Sequence, residues 1–181
     1  MDSPLEDLIE AHSLPSILRF VLDQYRLDIH GIHGIAHWGR VLQNGRRLAV
    51  ATGADCTVIE LFAIFHDACR HGDAQDHDHG PRAAVLVESL RARIGIEQAR
   101  FALLVEACRC HTRGAAERAD MTVLTCLDAD RLDIPRVGMR IKPWLLSTQA
   151  ARVPATIAWA THRAQRHAVP SLIAEEWAWE G

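Results

Sequence analysis

Apolar residues recur at intervals of three and four along nearly the whole chain, and alternation with a period of two is almost absent. Spacings of three and four place apolar side chains on one face of a helix, whereas a half-buried strand alternates every second residue. The run from Val58 to Phe65 is the most apolar of these segments. We therefore predict an all-α fold without strands.

Capping residues and helix breakers set the expected limits of the helices. Ser3 and Ser13 precede prolines as N-caps do, and Gly53 and Gly95 each follow a helical pattern as C-terminal glycines do. The predicted helices cover residues 4–11, 15–27, 33–51, 56–67, 81–93, 96–111, 121–132 and 148–167, with polar loops at 71–81 and 112–120. The sequence leaves open whether the tryptophans of the C-terminal tail are docked or exposed.

Composition and charge narrow the class of protein. The 181 residues, 49% of them hydrophobic, are expected to form one domain over 1–181. A net charge of −3 gives no basic field for a nucleic-acid polymer. No apolar run reaches the roughly 18 residues of a membrane span, and the first residues lack a cationic signal start. We expect a cytoplasmic protein with no membrane partner, and the sequence leaves a homo-oligomer open.

The five cysteines are an odd number and lie far apart, mostly within apolar segments. This distribution predicts reduced thiols rather than a disulfide framework. The unusual feature is the histidine content, because the chain has 11 histidines and only one tyrosine.

The strongest local signal is the pair His66-Asp67 at the end of the apolar run. Burying an imidazole beside a carboxylate is costly unless a partner compensates for the lost solvation, and a metal ion is one such partner. Taken alone, such a pair at a helix C-terminus is more often a surface or capping pair than a pair of metal ligands.

Three other positions point to the same interior. His37 and His111 fall on the apolar stripes of their helices, where a hydrogen-bonded core histidine is the alternative to a ligand. On the predicted helix 121–132, periodicity leaves both Asp128 and Asp130 open, and either carboxylate can instead pair with Arg131 at the surface.

The order of these histidines and aspartates along the chain resembles that of a known family, the HD-domain superfamily of metal-dependent phosphohydrolases. The pattern of that family is a histidine, then an adjacent His-Asp, then a distant aspartate. The matching motifs, in order, are His37-Trp38-Gly39-Arg40-Val41, Phe65-His66-Asp67 and Asp128-Ala129-Asp130-Arg131-Leu132-Asp133. The resemblance covers about residues 30–135, with helices of 140–181 expected to pack on that core. It implies a helical HD-like bundle whose metal ligands are His37, His66, Asp67 and Asp130.

Such a mixed nitrogen and oxygen set suits Mn²⁺, Fe²⁺, Co²⁺, Ni²⁺ or Zn²⁺. An ion with open positions can lower the pKa of a bound water and polarise a phosphoryl oxygen. We therefore expect a hydrolase of a small phosphate ester or nucleotide, in which Asp67 also orients the water. Arg40 and Arg131 are candidate substrate contacts, and Arg70 is a candidate for stabilising the phosphoryl charge.

Two further histidines extend the expected site. HD proteins with additional histidines between the His-Asp pair and the last aspartate can hold two metals, and some, similar to the inositol and organophosphonate oxygenases, use a diiron centre to activate O₂. His79 lies before a helix start, in a place that resembles the additional histidine of those members, and His111 also lies between the two motifs. We expect both to line the site as catalytic residues, with a second ion as one outcome. His71, His77 or His79 is the candidate leaving-group acid, since imidazoles titrate near neutrality. The alternatives are a diiron oxygenase and a non-catalytic module that binds a metal or nucleotide.

Overall fold

The structure, a computed structural model, describes residues 13–114 and 119–181. Within these ranges all regular structure is helical, with no strand, which confirms the predicted all-α class. The α-helices in chain order are α1 (Leu14–Leu22), α2 (Ile35–Thr52), α3 (Cys56–Phe65), α4 (His79–Ser89), α5 (Arg91–Ile94), α6 (Gln98–Cys110), α7 (Met121–Arg131), α8 (Gln149–Arg152), α9 (Pro154–Gln165) and α10 (Leu172–Glu175). Two 3₁₀ helices, Ile134–Val137 and Pro143–Leu145, lie between α7 and α8.

The central helices pack around one main core. Helix α2 contacts α3 and α7, and α6 contacts α3, α4 and α7. Trp38, Phe62 and Phe65 are fully buried between them. The sequence left open whether the tryptophans of the C-terminal tail are docked. Trp177 is buried in this core, and Trp179 packs against it, partly buried. A smaller cluster, which includes Leu48 of α2 and Leu146, packs α8 and α9 against the central helices.

Three predicted helix limits were wrong. The helix predicted for 15–27 ends at Leu22, after which the chain turns and the Tyr25 hydroxyl donates to the His33 carbonyl. The helix predicted for 81–93 begins at His79 and is interrupted at Leu90. The helix predicted for 148–167 is split before Pro154, because proline disfavours helical geometry in the residue that precedes it. The predicted helix 4–11 lies outside the described residues.

Two other expectations concern cysteines and membranes. All five cysteines are free thiols, as predicted from their number and spacing. Among the residues that the structure describes, no helix combines the length and apolar character needed to cross a bilayer.

Gly45 of α2 packs directly against Ile59 of α3. A Cβ atom added there would lie 2.4 Å from Cγ2 of Ile59, whose β-branched side chain has little rotamer freedom in a helix. We predict that Gly45→Ala lowers the free energy of unfolding by about 1–3 kcal/mol, the usual cost of overpacking. Urea denaturation measures this loss. Gly72→Ala is the control, since its added Cβ would have no neighbour within 4 Å; equal stability of the two variants would contradict the predicted close packing.

Candidate metal centre

Six of the predicted side chains converge between the central helices. They are His37 on α2, His66 and Asp67 directly after α3, His79 at the start of α4, His111 directly after α6, and Asp130 in the last turn of α7. Most of them are buried, and Asp130 is the most open, with 22% of its side chain exposed. The structure therefore brings together every residue that was predicted as a metal ligand, including the two predicted for a second ion.

The first set of donors consists of His37, His66 and one oxygen of Asp67, with Asp130 at its edge. The Nε2 atoms of His37 and His66 are 3.1 Å apart. Oδ2 of Asp67 lies 3.4 Å from Nε2 of His37 and 3.8 Å from Nε2 of His66. Oδ1 of Asp130 lies 3.5 Å and 3.9 Å from the same two nitrogens. Two ligands with bonds of about 2.1 Å to one ion are separated by about 3.0–3.4 Å. The His37–His66 and His37–Asp67 separations suit a shared cation, and the other three separations are longer than this range.

The second set uses the other oxygen of the same carboxylate. Oδ1 of Asp67 lies 3.0 Å from Nε2 of His79 and 3.8 Å from Nε2 of His111. The two Nε2 atoms are 2.8 Å apart. Asp67 therefore belongs to both sets, with one carboxylate oxygen directed at each.

Hydrogen bonds fix the tautomers of all four imidazoles. Nδ1 of His37 lies 2.7 Å from the Asp133 carboxylate. Nδ1 of His66 lies 3.0 Å from the Ala63 carbonyl, and Nδ1 of His111 lies 2.7 Å from the Cys108 carbonyl. Nδ1 of His79 faces the carbonyl of Asp76 in the same way. These partners only accept hydrogen bonds, so each Nδ1 carries the proton and each Nε2 presents a lone pair to the centre.

Facing lone pairs are an arrangement that suits a bound cation. In the neutral tautomers no proton lies between Nε2 of His37 and Nε2 of His66, or between the Nε2 atoms of His79 and His111. Protonation of His66 is unfavourable, because burial lowers its pKa to about 3 despite the nearby carboxylates. A divalent metal suits the donors of each set, and imidazoles whose other nitrogen is bound by a carboxylate or carbonyl are typical metal ligands.

The carboxylates of the cluster are held in their charged form. Burial alone would raise the pKa of Asp67, but the surrounding histidines, His66 first, bring it well below its usual value. For Asp130, burial is likewise outweighed, by His66 and His37, and its pKa is lowered. Positive charge beside the two carboxylates is what lowers these pKa values, and where the imidazoles are neutral a divalent cation would supply it.

The structure separates the two aspartates that periodicity left open. Asp128 is buried, but its carboxylate accepts hydrogen bonds from the backbone N–H groups of Ser147 and Thr148 at 2.7–3.0 Å. Asp130 is the aspartate that reaches the cluster, as the resemblance implied. Asp128 thus anchors the chain after α7, and Asp130 contributes to the centre.

The three candidate arginines have different surroundings. Arg70 lies at the cluster, with NH1 3.6 Å from Oδ1 of Asp67 and 3.3 Å from the ring nitrogens of His79. Arg40 is buried behind His37 and bonds Asp133 and the Ala168 carbonyl, so the predicted substrate contact is replaced by a supporting role. Arg131 bonds Asp128 and the Leu145 carbonyl instead of reaching the cluster.

Among the loop histidines, His71 and His77 are exposed, and only His79 enters the centre.

Sequence reasoning missed three residues that support the centre. Asp133 binds both His37 and Arg40 and is 1% exposed. Nδ1 of His33 lies 3.1 Å from Oδ2 of Asp67. Arg136 donates to the Ile32 carbonyl at 2.8 Å and lies beside His33. The signal for Asp133 was its place in the third motif, where only Asp128 and Asp130 were considered as functional.

Comparisons of the chain with models of protein families, with curated proteins and with solved structures found no match.

Proposed function

We propose that the protein is a metal-dependent phosphohydrolase of the HD type that acts on a small phosphate ester or nucleotide. The main support for the proposal is the arrangement of four imidazoles around one buried aspartate. The Nε2 lone pairs of His37, His66, His79 and His111 face the two carboxylate oxygens of Asp67. The order of His37, His66-Asp67 and Asp130 along the chain, which resembles that of HD proteins, agrees with this arrangement.

The proposed ligands of a first ion are His37, His66, Asp67 and Asp130, and those of a second ion are Asp67, His79 and His111. Bound divalent ions supply Lewis acidity, which lowers the pKa of water and polarises a phosphoryl oxygen. The residues of the chain hold the ligands in place: Asp133 orients His37, and main-chain carbonyls orient His66, His79 and His111. Asp130, the most exposed of the ligands, marks the side from which a substrate and water approach.

Arg70 is the residue proposed to stabilise the phosphoryl charge. Its Nε and NH2 donate to the carbonyls of Gly72 and Ala74, which leaves NH1 directed at Asp67 and His79. A guanidinium fixed in this way is already oriented toward a group bound between the two donor sets.

The test is phosphate release from a panel of phosphate esters and nucleotides. The protein is assayed as purified without chelator, after EDTA treatment, and after return of Mn²⁺, Fe²⁺, Co²⁺, Ni²⁺ or Zn²⁺. We expect turnover that EDTA removes and at least one ion restores. Turnover that is unchanged in excess EDTA, or bound metal with no turnover of any ester, would contradict the hydrolase; the second result favours a non-catalytic metal-binding module.

The second donor set favours one alternative, a diiron oxygenase on the same scaffold. Asp67 with His79 and His111 provides a place for a second ion next to the first. Paired irons supply redox chemistry with O₂. The oxygenase requires two irons per chain and consumption of O₂, whereas the hydrolase releases phosphate equally well under anaerobic conditions.

Removal of His79 or His111 is expected to separate the two donor sets. We predict that His79→Ala and His111→Ala each lower the metal content from two ions to one per chain, because His37, His66 and Asp67 remain. Elemental analysis after gel filtration measures the stoichiometry. The control is His77→Ala, an exposed histidine of the same loop. A variant that keeps two ions, or that loses both, would contradict separate sites.

A further inference from the structure

A cationic cleft of about 300 Å³ lies directly beside the candidate metal centre. Its polar lining comes from Gln24, Arg26, Cys69, Arg70, His71 and Arg82. No carboxylate lines the cleft among the described residues. Three guanidinium groups around one concave space, without a lining acid, favour an anionic ligand.

Two of the arginines are held in place by the main chain. Arg82 donates from Nε to the Cys69 carbonyl at 3.1 Å and pairs with Asp76. Arg70 donates to the carbonyls of Gly72 and Ala74. These bonds fix both guanidinium planes, so their remaining N–H groups are oriented before any ligand arrives, which lowers the entropic cost of binding.

The third arginine has no such restraint. Arg26 is exposed and makes no hydrogen bond or ion pair with any residue that the structure describes. It nevertheless lines the same cleft as Cys69 and Arg82. Arg26 is therefore a cation at the cleft whose charge is not neutralised by a partner within the described chain.

Arg70 connects the cleft to the metal centre. It lines the cleft, and its NH1 lies 3.6 Å from Oδ1 of Asp67. Cys69 follows Asp67 by two residues, so their Cα atoms are at most about 7 Å apart. A small molecule can therefore reach from the donor sets to the cleft.

We propose that this cleft is the subsite for a second anionic group of the substrate. The substrate class is then a small molecule with a phosphoryl group at the metal centre and another phosphate or carboxylate between Arg26, Arg70 and Arg82. This assignment rests on the proposed phosphohydrolase function for the first group, whereas anion binding in the cleft itself requires only the three arginines.

The experiment is isothermal titration of the metal-loaded protein with inorganic phosphate. The wild-type protein is expected to bind phosphate in two classes of site, one at the metal and one in the cleft. Arg26→Gln should weaken the cleft class about tenfold or more, the usual effect of losing one charged hydrogen bond. Its metal content should not change. Arg166→Gln, at an exposed arginine after α9, is the matched control and should bind as the wild type does.

A second variant separates failure of the cleft from failure of the metal centre. Asp67→Asn should remove the metal-dependent class and leave the Arg26-dependent class. Phosphate binding that Arg26→Gln leaves unchanged would overturn the cleft assignment even if the protein hydrolyses esters. Arg26-dependent binding in a protein that holds no metal would support the cleft while contradicting the proposed hydrolase.

Discussion

Replacing Asp67 with asparagine is expected to remove both ions and to abolish metal-dependent turnover. Asp67 is the residue that the two donor sets share, with Oδ2 facing His37 and Oδ1 facing His79. Asparagine keeps the shape but loses the negative charge and one of the two acceptor oxygens. Loss of an outer hydrogen-bond partner of a metal ligand costs roughly 10–100-fold in affinity or activity, so loss of a ligand common to both ions should cost more.

Elemental analysis and initial rates measure the effect, and circular dichroism checks that the variant is folded. Asp73→Asn is the control, because Asp73 is an exposed aspartate in the loop that follows. An Asp67→Asn protein that retains two ions per chain would show that the carboxylate does not bridge them.

Asp133→Asn is expected to be strongly destabilising. The Asp133 carboxylate accepts from Nδ1 of His37 at 2.7 Å and from Nε and NH2 of Arg40 at 2.8 Å and 3.0 Å. An amide cannot serve both partners, and Arg40, which is 2% exposed, would keep a buried charge without its counter-ion. Breaking a buried pair in this way costs about 3–5 kcal/mol, which urea denaturation measures directly.

Stability and metal affinity should respond differently to a second change. Adding Arg40→Met to Asp133→Asn removes the unpaired charge, so we expect part of the stability to return. Metal affinity should stay low, because Nδ1 of His37 still lacks its carboxylate. Glu88→Gln, which breaks the exposed pair with Arg109, serves as the control and should change little. A double variant that recovers full metal affinity would contradict the orienting role of Asp133.

The helical class and most of the central ligands could be predicted from the sequence, because both depend on local patterns. Periodicity put His37 and His111 on buried faces, and the apolar run before His66-Asp67 marked that pair as buried. Periodicity did not separate Asp128 from Asp130, since it gives the direction of a side chain but not its partner. The partner of Asp128, the backbone at Ser147, lies 19 residues away.

The supporting residues could not be predicted for the same reason. Asp133 meets His37 across 96 residues, and Arg40 reaches Asp133 across 93. No local pattern distinguishes an arginine with a distant buried partner from an arginine that is free to bind a ligand. Arg40 was therefore predicted to bind substrate, although its partners lie inside the protein. The helix break before Pro154 is local, because proline disfavours helical geometry in the residue that precedes it, so the sequence itself contained this signal.

Anomalous X-ray diffraction from crystals of the protein purified without chelator tests whether Asp67 and the four histidines hold metal ions. We expect metal peaks bonded to Nε2 of His37 and His66 on one side of Asp67 and to Nε2 of His79 and His111 on the other, with bonds of about 2.0–2.2 Å. Crystals grown with ample Mn²⁺ that show no peak beside Asp67 would contradict it.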